Sequence, residues 1–394
     1  MNALDGMQVV DLSHAIAGPT CTNMLVDLGA EVIKVEPPQT GDGFRHYTEH
    51  GGEPMLSIPF ASLNAGKKSV CLDLKDAEGI DILWRLIERA DVLVENFRPG
   101  VLARLGLTFD ALHVRNPRLV QVSITGFGQT GPLADRGAYD HIAQAMSGIA
   151  LLNAGSDGPQ KIGMPIIDSF TGYLATIGLL AALRRRDATG TGEHVDVAML
   201  DAALKLVNTT VSVHSYTGRT PGGTGNRGFR LVATADFYPT ADRWIALGAN
   251  NQSQVEALFR VLGKPEWIED ERFATHDARV ANYGELRASL TNELRGWEAA
   301  ALEEELVAAR VPAAMLREVG EIADHPHLAQ RGTFHDVSLP GFDRPLRVVG
   351  PGFDSDRSGD RIVPVLGDSS DEVLADLGFD ASAIASLRRR GVVA

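Results

Sequence analysis

The chain has 394 residues and a formal net charge of −14, and its Lys and Arg residues are scattered rather than clustered. Its hydrophobic content of 44% and charged content of 22% are those of a globular protein, and its length predicts two domains with buried interiors. The acidic balance argues against nucleic acid as a partner, and two cysteines, Cys21 and Cys71, without a metal-ligand spacing argue against a zinc site.

The first part of the chain alternates between strand and helix patterns. Residues 7–12 and 31–36 are short β-rich runs, separated by the helical pattern of residues 20–29. A helical pattern follows at 79–90, and further strand patterns lie at 68–75, 91–97 and 118–128. Within 68–75, apolar and polar residues alternate as in a strand with one covered face. The alternation predicts an α/β fold, with a Rossmann-like parallel sheet covered by helices on both faces.

Composition then indicates a domain boundary near residue 215. The stretch "TGRTPGGTGNRGFR" that follows is rich in glycine and typical of a connection. We therefore predict a large domain over residues 1–215, a glycine-rich connection over 216–230 and a smaller α+β domain over 231–330. Residues 331–394 return to strand and helix patterns, and we expect them to fold back on the large domain.

The N-terminal sequence favours a cytoplasmic location. "MNALDGMQVVDL" carries acidic residues and no long apolar stretch, so it does not resemble a secretory or transit signal. The longest apolar run, residues 169–183, is shorter than the roughly 20 residues of a membrane span, and we interpret it as a buried helix. We therefore expect no membrane partner.

Asp168 is a candidate catalytic residue. It is a single carboxylate at the start of a long helical pattern that ends in three consecutive arginines. An aspartate at such a position usually caps the helix by accepting a backbone N–H. The same position can keep a carboxylate ionised and supply amides for an oxyanion, as a nucleophile requires. The residues alone leave both interpretations open.

A series of motifs resembles one enzyme family along nearly the whole chain. The motifs are "SHAIAGPTCTNMLVDLGAEVIKVEPP", "NAGKKSVCLDLK", "DVLVENFRPGVLARLGL", "SITGFGQTGP", "YDHIAQAMSG" and "GMPIIDSFTG", and the similarity continues through "GTGEHVDVAMLDAAL" and "RVPAAML" to "DHPHLAQRG". In this order and spacing they resemble the class III coenzyme A transferases, the family of formyl-CoA and carnitine CoA-transferases.

The resemblance implies an interlocked homodimer and a covalent mechanism. The aspartate that matches Asp168 attacks an acyl-CoA thioester in this family, giving an acyl-aspartyl anhydride and then an aspartyl-CoA thioester, which the acceptor carboxylate attacks. Coenzyme A is the cosubstrate, and no metal is expected. The positions that match the family's CoA contacts are His14, Ala17, Leu72, Asp73, Lys75, Asn96, Phe97, Arg98, Arg104, Arg136 and Tyr139. Lys75 and Arg104 could equally be solvated surface charges, and Asn96 a turn cap.

Two features depart from formyl-CoA transferase. Ile16 stands where that enzyme has a glutamine, and the glycine-rich loop over residues 221–228 is shorter. Both departures argue against oxalate and formyl-CoA as substrates. The predicted substrate-loop glycines, Gly222, Gly223 and Gly225, would allow this loop to close over the anhydride as a lid, although an ordinary linker fits the composition equally well.

Basic residues near predicted loops suggest a substrate with a second carboxylate. The candidates for binding that distal group are Arg45, His46, His50 and Arg227 or Arg230. Our hypothesis is that succinyl-CoA is the donor and a small dicarboxylate is the acceptor.

Three other functions are considered. A dinucleotide-dependent oxidoreductase would use Glu36 at the end of the second strand, but the first turn lacks the glycine fingerprint. An α-methylacyl-CoA racemase would place a histidine directly before the aspartate, whereas Tyr139 precedes Asp140 here and His141 follows it. A non-enzymatic scaffold, in which Asp168 only caps a helix, has no positive support. Racemisation of a 2-methylacyl-CoA remains the alternative function.

Overall fold

The computed structural model describes residues 2–53, 55–155, 157–223, 231–353 and 361–394. The chain divides into two compact units: unit 1 comprises residues 1–147, 162–216 and 329–394, and unit 2 comprises residues 148–161 and 217–328. The predicted large domain over 1–215 is therefore wrong for residues 148–161. The physical reason is a tight contact within unit 2: a Cβ at Gly223 would lie 2.7 Å from the Ala154 Cβ and the Leu151 carbonyl oxygen.

The strands are short and most of them lie in unit 1. In chain order they are β1 (Gln8–Asp11), β2 (Glu31–Glu36), β3 (Gly52–Glu53), β4 (Leu56–Ser57), β5 (Lys68–Cys71), β6 (Val92–Glu95), β7 (Val120–Thr125), β8 (His194–Ala198), β9 (Phe237–Pro239), β10 (Trp244–Leu247), β11 (Ala313–Met315), β12 (Phe334–Val337) and β13 (Leu346–Val349).

Helices make up most of the remaining regular structure. Up to residue 217 they are α1 (Ala17–Asp27), α2 (Ile58–Asn64), α3 (Ala77–Arg89), α4 (Val101–Arg104), α5 (Phe109–Arg115), α6 (Asp140–Met146), α7 (Ile149–Leu152), α8 (Ile166–Thr189), α9 (Met199–Leu206) and α10 (Asn208–Thr217). Of these, α7 belongs to unit 2. The later ones are α11 (Gln252–Val261), α12 (His276–Ala281), α13 (Tyr283–Leu294), α14 (Ala299–Ala308), α15 (Val319–Ala323), α16 (Pro326–Gln330), α17 (Ser370–Asp376) and α18 (Ala381–Arg389). Short 3₁₀ helices span Gly43–His46, Thr48–His50 and Pro265–Ile268.

Unit 1 is built on a six-stranded parallel sheet in the order β5-β2-β1-β6-β7-β8. The chain builds outward from β1 through β2 to β5 and then crosses to the other side of β1. This is the order of the doubly wound Rossmann fold, whose topological switch point lies between β1 and β6. The predicted parallel α/β sheet is confirmed.

Alternate residues of each strand enter cores on the two faces of this sheet. Val10 and Leu93 pack with helices α3, α17 and α18, whereas Val9 and Val92 pack with α1 and α8. The prediction that the strand within 68–75 has one covered face is wrong, because β5 ends at Cys71 and its consecutive residues Ser69, Val70 and Cys71 are all buried, so both faces are covered. Strand β2 has the predicted bounds, residues 31–36.

Unit 2 has its own apolar core. Its three-stranded antiparallel sheet has the order β11-β10-β9, and Ile245 and Tyr238 from this sheet pack against Leu258, Leu290 and Leu302 from three helices.

In the part of the chain that the structure describes, one helix, α8, is long and apolar enough to cross a membrane. Its residues Ala175, Leu179 and Ala182 are buried in the core with strands of the parallel sheet, as in a core helix of a globular domain. This agrees with the interpretation of residues 169–183 as a buried helix.

Candidate active site

A cavity of about 330 Å³ lies in unit 1 at the carboxyl ends of the parallel strands. The loops after β1 and β6 form two of its walls, and the end of β7 forms a third. The residues that line it are His14, Ala15, Ile16, Ala17, Asn96, Phe97, Arg98, Pro99, Ile124, Thr125, Gly126, Arg136, Gly137, Ala138, Tyr139, Asp168 and Met199. Open α/β sheets bind ligands at this switch point. The cavity contains eight of the predicted site residues.

The loops after β1 and β6 are joined by reciprocal hydrogen bonds. The His14 backbone N–H donates to the Asn96 side-chain oxygen over 2.9 Å, and the Asn96 amide donates back to the His14 carbonyl over 2.8 Å. The His14 and Phe97 rings lie 6.0 Å apart. Asn96 therefore connects the two walls, which is more than the turn cap considered from the sequence.

Helix α8 carries Asp168 to this cavity through close packing on α1. A Cβ on Gly172 would lie 2.5 Å from the Ala17 carbonyl oxygen and 2.7 Å from the Thr20 Cβ, so only glycine permits this approach. Asp168 lies one turn earlier and is the third residue of α8. Gly172 thus brings the start of α8 beside the start of α1, whose residue Ala17 also lines the cavity.

Asp140, rather than Asp168, caps helix α8. One carboxylate oxygen of Asp140 accepts the backbone N–H groups of Ile167 over 2.7 Å and of Asp168 over 3.2 Å. The capping interpretation of Asp168 is wrong, because the orphan amides already have an acceptor 28 residues earlier in the chain. Among the described residues, no donor forms a hydrogen bond to the Asp168 carboxylate.

The environment of Asp168 favours its neutral form more than the sequence suggests. Burial and, to a smaller extent, the like charge of Asp140 raise the pKa of Asp168 to about 7. The expectation of a carboxylate held fully ionised by amides is therefore wrong. Near neutral pH the group titrates, and its ionised form keeps all its lone pairs for a reaction partner.

Two exposed arginines give the cavity a cationic wall. Arg98 and Arg136 both line it, and no carboxylate among the described residues forms an ion pair with either. The Arg98 guanidinium approaches Gly137, at which a Cβ would lie 3.1 Å away, and the Arg136 guanidinium lies 5.7 Å from the Phe127 ring centroid. Unpaired guanidinium groups beside an exposed Tyr139 suit a ligand with phosphates.

The structure does not bring four of the predicted CoA contacts to this cavity. Leu72 is buried in the core of unit 1, and the Asp73 backbone N–H donates to the Val392 carbonyl. Lys75 and Arg104 are exposed and do not line the cavity. Of the predicted loop glycines, Gly222 has open space around its Cα, Gly223 packs within unit 2, and Gly225 lies outside the described residues.

Arg45 cannot bind a distal carboxylate as predicted. It is fully buried, and two of its guanidinium nitrogens donate to the two oxygens of Glu36 over 2.7 Å each. Because both Glu36 oxygens accept hydrogen bonds from Arg45, Glu36 is not available for the dinucleotide role considered in the sequence analysis. The His46 Nε2 lies 2.9 Å from the Thr40 carbonyl oxygen. The side chain of His50, together with Arg227 and Arg230, lies outside the described part of the chain.

Sequence analysis missed the residues that hold the first loop. Lys34 is completely buried in the middle of β2 and donates to the Ser13 carbonyl over 2.7 Å, while Asp11 at the end of β1 accepts the Ser13 backbone N–H. A lysine inside the apolar run "EVIKVE" was the available signal, because a fully buried charge needs a partner.

Comparison with known proteins gives one family. The profile of the family described as CoA-transferase family III matches residues 4–367. An acetyl-CoA:oxalate CoA-transferase of Acetobacter aceti is 39% identical over 88% of this chain and 89% of its own length. A succinate–glutarate CoA-transferase of Agrobacterium fabrum is 35% identical over 95% of both chains.

A solved structure extends the similarity to the fold. The crystal structure of a CAIB/BAIF family protein from Brucella suis superposes with a TM-score of 0.86 at 34% sequence identity. It covers 96% of this chain and all of its own.

Proposed function

Because the chain belongs to CoA-transferase family III and is an acyl-CoA:carboxylate CoA-transferase, we propose that Asp168 is its covalent nucleophile. One observation carries this proposal: Asp168 lines the cavity at the switch point, and no described donor engages its carboxylate. The amides that would otherwise bind it are taken by Asp140. A carboxylate without partners is suited to attack an electrophile.

The proposed reaction consists of exchanges at acyl carbons. An Asp168 oxygen attacks the thioester carbonyl of the donor, the C–S bond breaks, and its electron pair leaves with the CoA thiolate. The thiolate attacks the Asp168 acyl carbon of the resulting anhydride, which releases the donor acid and leaves an aspartyl-CoA thioester. The acceptor carboxylate displaces the thiolate to form a second anhydride. Attack of the thiolate on the acceptor's acyl carbon yields the new acyl-CoA and restores Asp168.

The surrounding residues fit these steps without a general base. Carboxylate and thiolate are the successive nucleophiles, so no proton must be removed during the exchange. Arg98 and Arg136 would bind phosphate oxygens of CoA. The Ala17 backbone N–H at the start of α1 has no acceptor among the described residues and could stabilise an oxyanion.

For the substrates, we propose succinyl-CoA as donor and a small dicarboxylate as acceptor. The relatives named above act on oxalate and on succinate and glutarate, which are all dicarboxylic acids. Because one of these relatives is named an oxalate CoA-transferase, the argument from Ile16 against oxalate as a substrate is weaker. With Arg45 removed, the candidates for binding the distal carboxylate remain His46, His50 and Arg227 or Arg230. The lid role of residues 221–228, cytoplasmic location and absence of a metal stay predictions.

We also propose that the enzyme acts as an interlocked homodimer. Unit 1 exposes large apolar side chains on α8 and α10: Tyr173 is 47% exposed, Ile177 62% and Tyr216 93%. Exposed apolar side chains at this density support a partner surface. The interlocked arrangement rests on the family resemblance.

The proposal is tested by trapping the enzyme intermediate. The parent is incubated with succinyl-CoA and hydroxylamine, and intact mass with peptide mapping should locate a hydroxamate at Asp168. Asp168→Asn should give no adduct, and the exposed helix residue change Asp201→Asn should label like the parent. An adduct at another residue would overturn the assignment.

No structural observation favours the racemase alternative, since His141 does not line the cavity and its ring stacks with that of Tyr139. If no acyl-CoA leaves an adduct while a 2-methylacyl-CoA exchanges its α-hydrogen with deuterated water, that alternative replaces our proposal.

A further inference from the structure

The wall of the cavity after β1 contains a backbone conformation that alanine disfavours. Ala15 has φ +62°, in the left-handed region, and stands between the cavity residues His14 and Ile16. A residue with a Cβ adopts this conformation at a cost in free energy, which the surrounding structure must offset. Such residues concentrate at functional sites.

Side chains from three separate segments hold the backbone of this turn. Lys34 from β2 binds the Ser13 carbonyl, and Asn96 after β6 binds the N–H and carbonyl of His14. The Ala15 backbone N–H donates to both oxygens of Asp42, over 3.1 and 3.2 Å. Asp42 thus binds the left-handed residue directly.

Asp42 is itself fixed by its surroundings. It is fully buried, forms an ion pair with Lys34 over 3.0 Å, and accepts the Phe44 backbone N–H over 2.9 Å. Its own backbone N–H donates to Glu36. Although burial alone would raise it, the Lys34 ammonium, the His14 side chain and the Phe44 backbone N–H hold the pKa of Asp42 well below its usual range. Asp42 is therefore an ionised acceptor near neutral pH.

We propose that Asp42 is a positioning residue of the transferase: it holds Ala15 in the left-handed turn that directs His14, Ile16 and Ala17 into the cavity. It acts through the backbone of Ala15, and one of its carboxylate oxygens also lies 3.7 Å from the His14 Nδ1. The inference rests on the proposed function, because it assumes that acyl-CoA binds in this cavity. Without the acceptor, the turn would relax toward the right-handed region and withdraw this wall.

The chain offers a matched control for the strain itself. Gln39 has φ +67°, is exposed, and does not line the cavity. Glycine adopts positive φ without penalty, so Ala15→Gly and Gln39→Gly relieve the same strain at two positions. A difference between the two variants in catalysis then reports the cavity wall and not backbone strain in general.

The test is a double-mutant cycle between Asp42 and Ala15. We expect Asp42→Ala, which removes the acceptor of the Ala15 N–H, to raise the KM for succinyl-CoA about tenfold, with a smaller effect on kcat. In the Ala15→Gly background the same change should cost only about twofold, because glycine needs no restraint to stay left-handed. An equal cost of Asp42→Ala in both backgrounds would overturn the proposal.

A second pair of variants leaves the buried Lys34 partner in place in case Asp42→Ala fails to fold. Ala15→Val puts a β-branched residue in the left-handed region and should raise the same KM, whereas Gln39→Val should not. Equal KM values in these two variants would also contradict the proposal.

CoA binding measured by calorimetry separates this inference from the proposed function. If the parent forms no adduct at Asp168, the nucleophile assignment fails. If the raised KM values in the cycle are matched by weaker CoA binding in calorimetry, the role of Asp42 is still supported. Unchanged CoA affinity in Ala15→Val refutes it.

Discussion

Two aspartates near the cavity differ in the hydrogen bonds that they accept and in the direction in which their pKa values are shifted. Asp42 accepts two backbone N–H groups and an ammonium, and its pKa is held well below the usual range. Asp168 accepts no described hydrogen bond, and burial raises its pKa to about 7. The lone pairs of the first are used for structure, while those of the second stay free. The number of hydrogen-bond partners therefore separates the structural carboxylate from the one that we propose to be reactive.

We expect the largest effects of this difference when each aspartate is replaced by asparagine. Asp168→Asn should lower the transfer rate at least about 1000-fold, since the proposed nucleophile is lost. It should raise the free energy of unfolding at pH 8 by about 1–3 kcal/mol, because a desolvated charge without partners disappears. Asp42→Asn should lower that free energy by about 3 kcal/mol, because it removes the buried negative charge that pairs with Lys34.

Urea denaturation across pH checks the sign of the Asp168 effect. The raised pKa of Asp168 means that its stabilising contribution is complete below the unfolded value of 3.8 and is lost as the pH rises through about 7. The gain from Asp168→Asn should therefore be near zero below pH 4 and constant above about pH 8. A gain that is independent of pH would contradict the raised pKa.

Gly172→Ala should change the position of Asp168 in the cavity. Its Cβ would collide with the Ala17 carbonyl and with Thr20, so the start of α8 must move away from α1. A displacement of about 1 Å should cost about 100-fold in kcat/KM, with a destabilisation of about 1–3 kcal/mol. Gly163→Ala is the control, since a Cβ there meets nothing within 4 Å. If both variants keep the parent kcat/KM, the close packing does not position Asp168.

Asp140→Asn should change the titration of Asp168 rather than remove activity. For the parent, the rate of adduct formation should rise about tenfold between pH 6 and pH 8, as the carboxylate with a pKa of about 7 ionises. Asparagine keeps an oxygen for the N–H groups of Ile167 and Asp168 but removes the like charge. The midpoint should then fall by about half a pH unit. A midpoint that stays at the parent value would show that burial alone raises this pKa.

The sequence predicts those parts of the molecule that depend on local pattern. The run "EVIKVE" has the bounds of β2. The family resemblance, and not local pattern, groups Asp168, Asn96 and Arg98, which all line the cavity. What it does not predict depends on contacts between distant residues. Asp140 caps a helix that begins 26 residues later, and residues 148–161 belong to unit 2 through a contact with Gly223. Neither contact leaves a periodic signal.

Arg45 is a buried cation whose hydrogen bonds, like those of Asp42, hold the structure together. We expect its substitution to have the smallest effect on activity. Both oxygens of Glu36 and the Met55 and Pro364 carbonyls accept four of its five N–H groups, and the side chain is fully buried, so it is not available to a substrate carboxylate. Arg45→Lys should leave the preference between mono- and dicarboxylate acceptors unchanged within about twofold, while lowering the free energy of unfolding by about 2 kcal/mol. Acceptor competition assays measure the first and urea titration the second. A lost preference for dicarboxylates would restore the role that burial and the hydrogen bonds to Glu36 argue against.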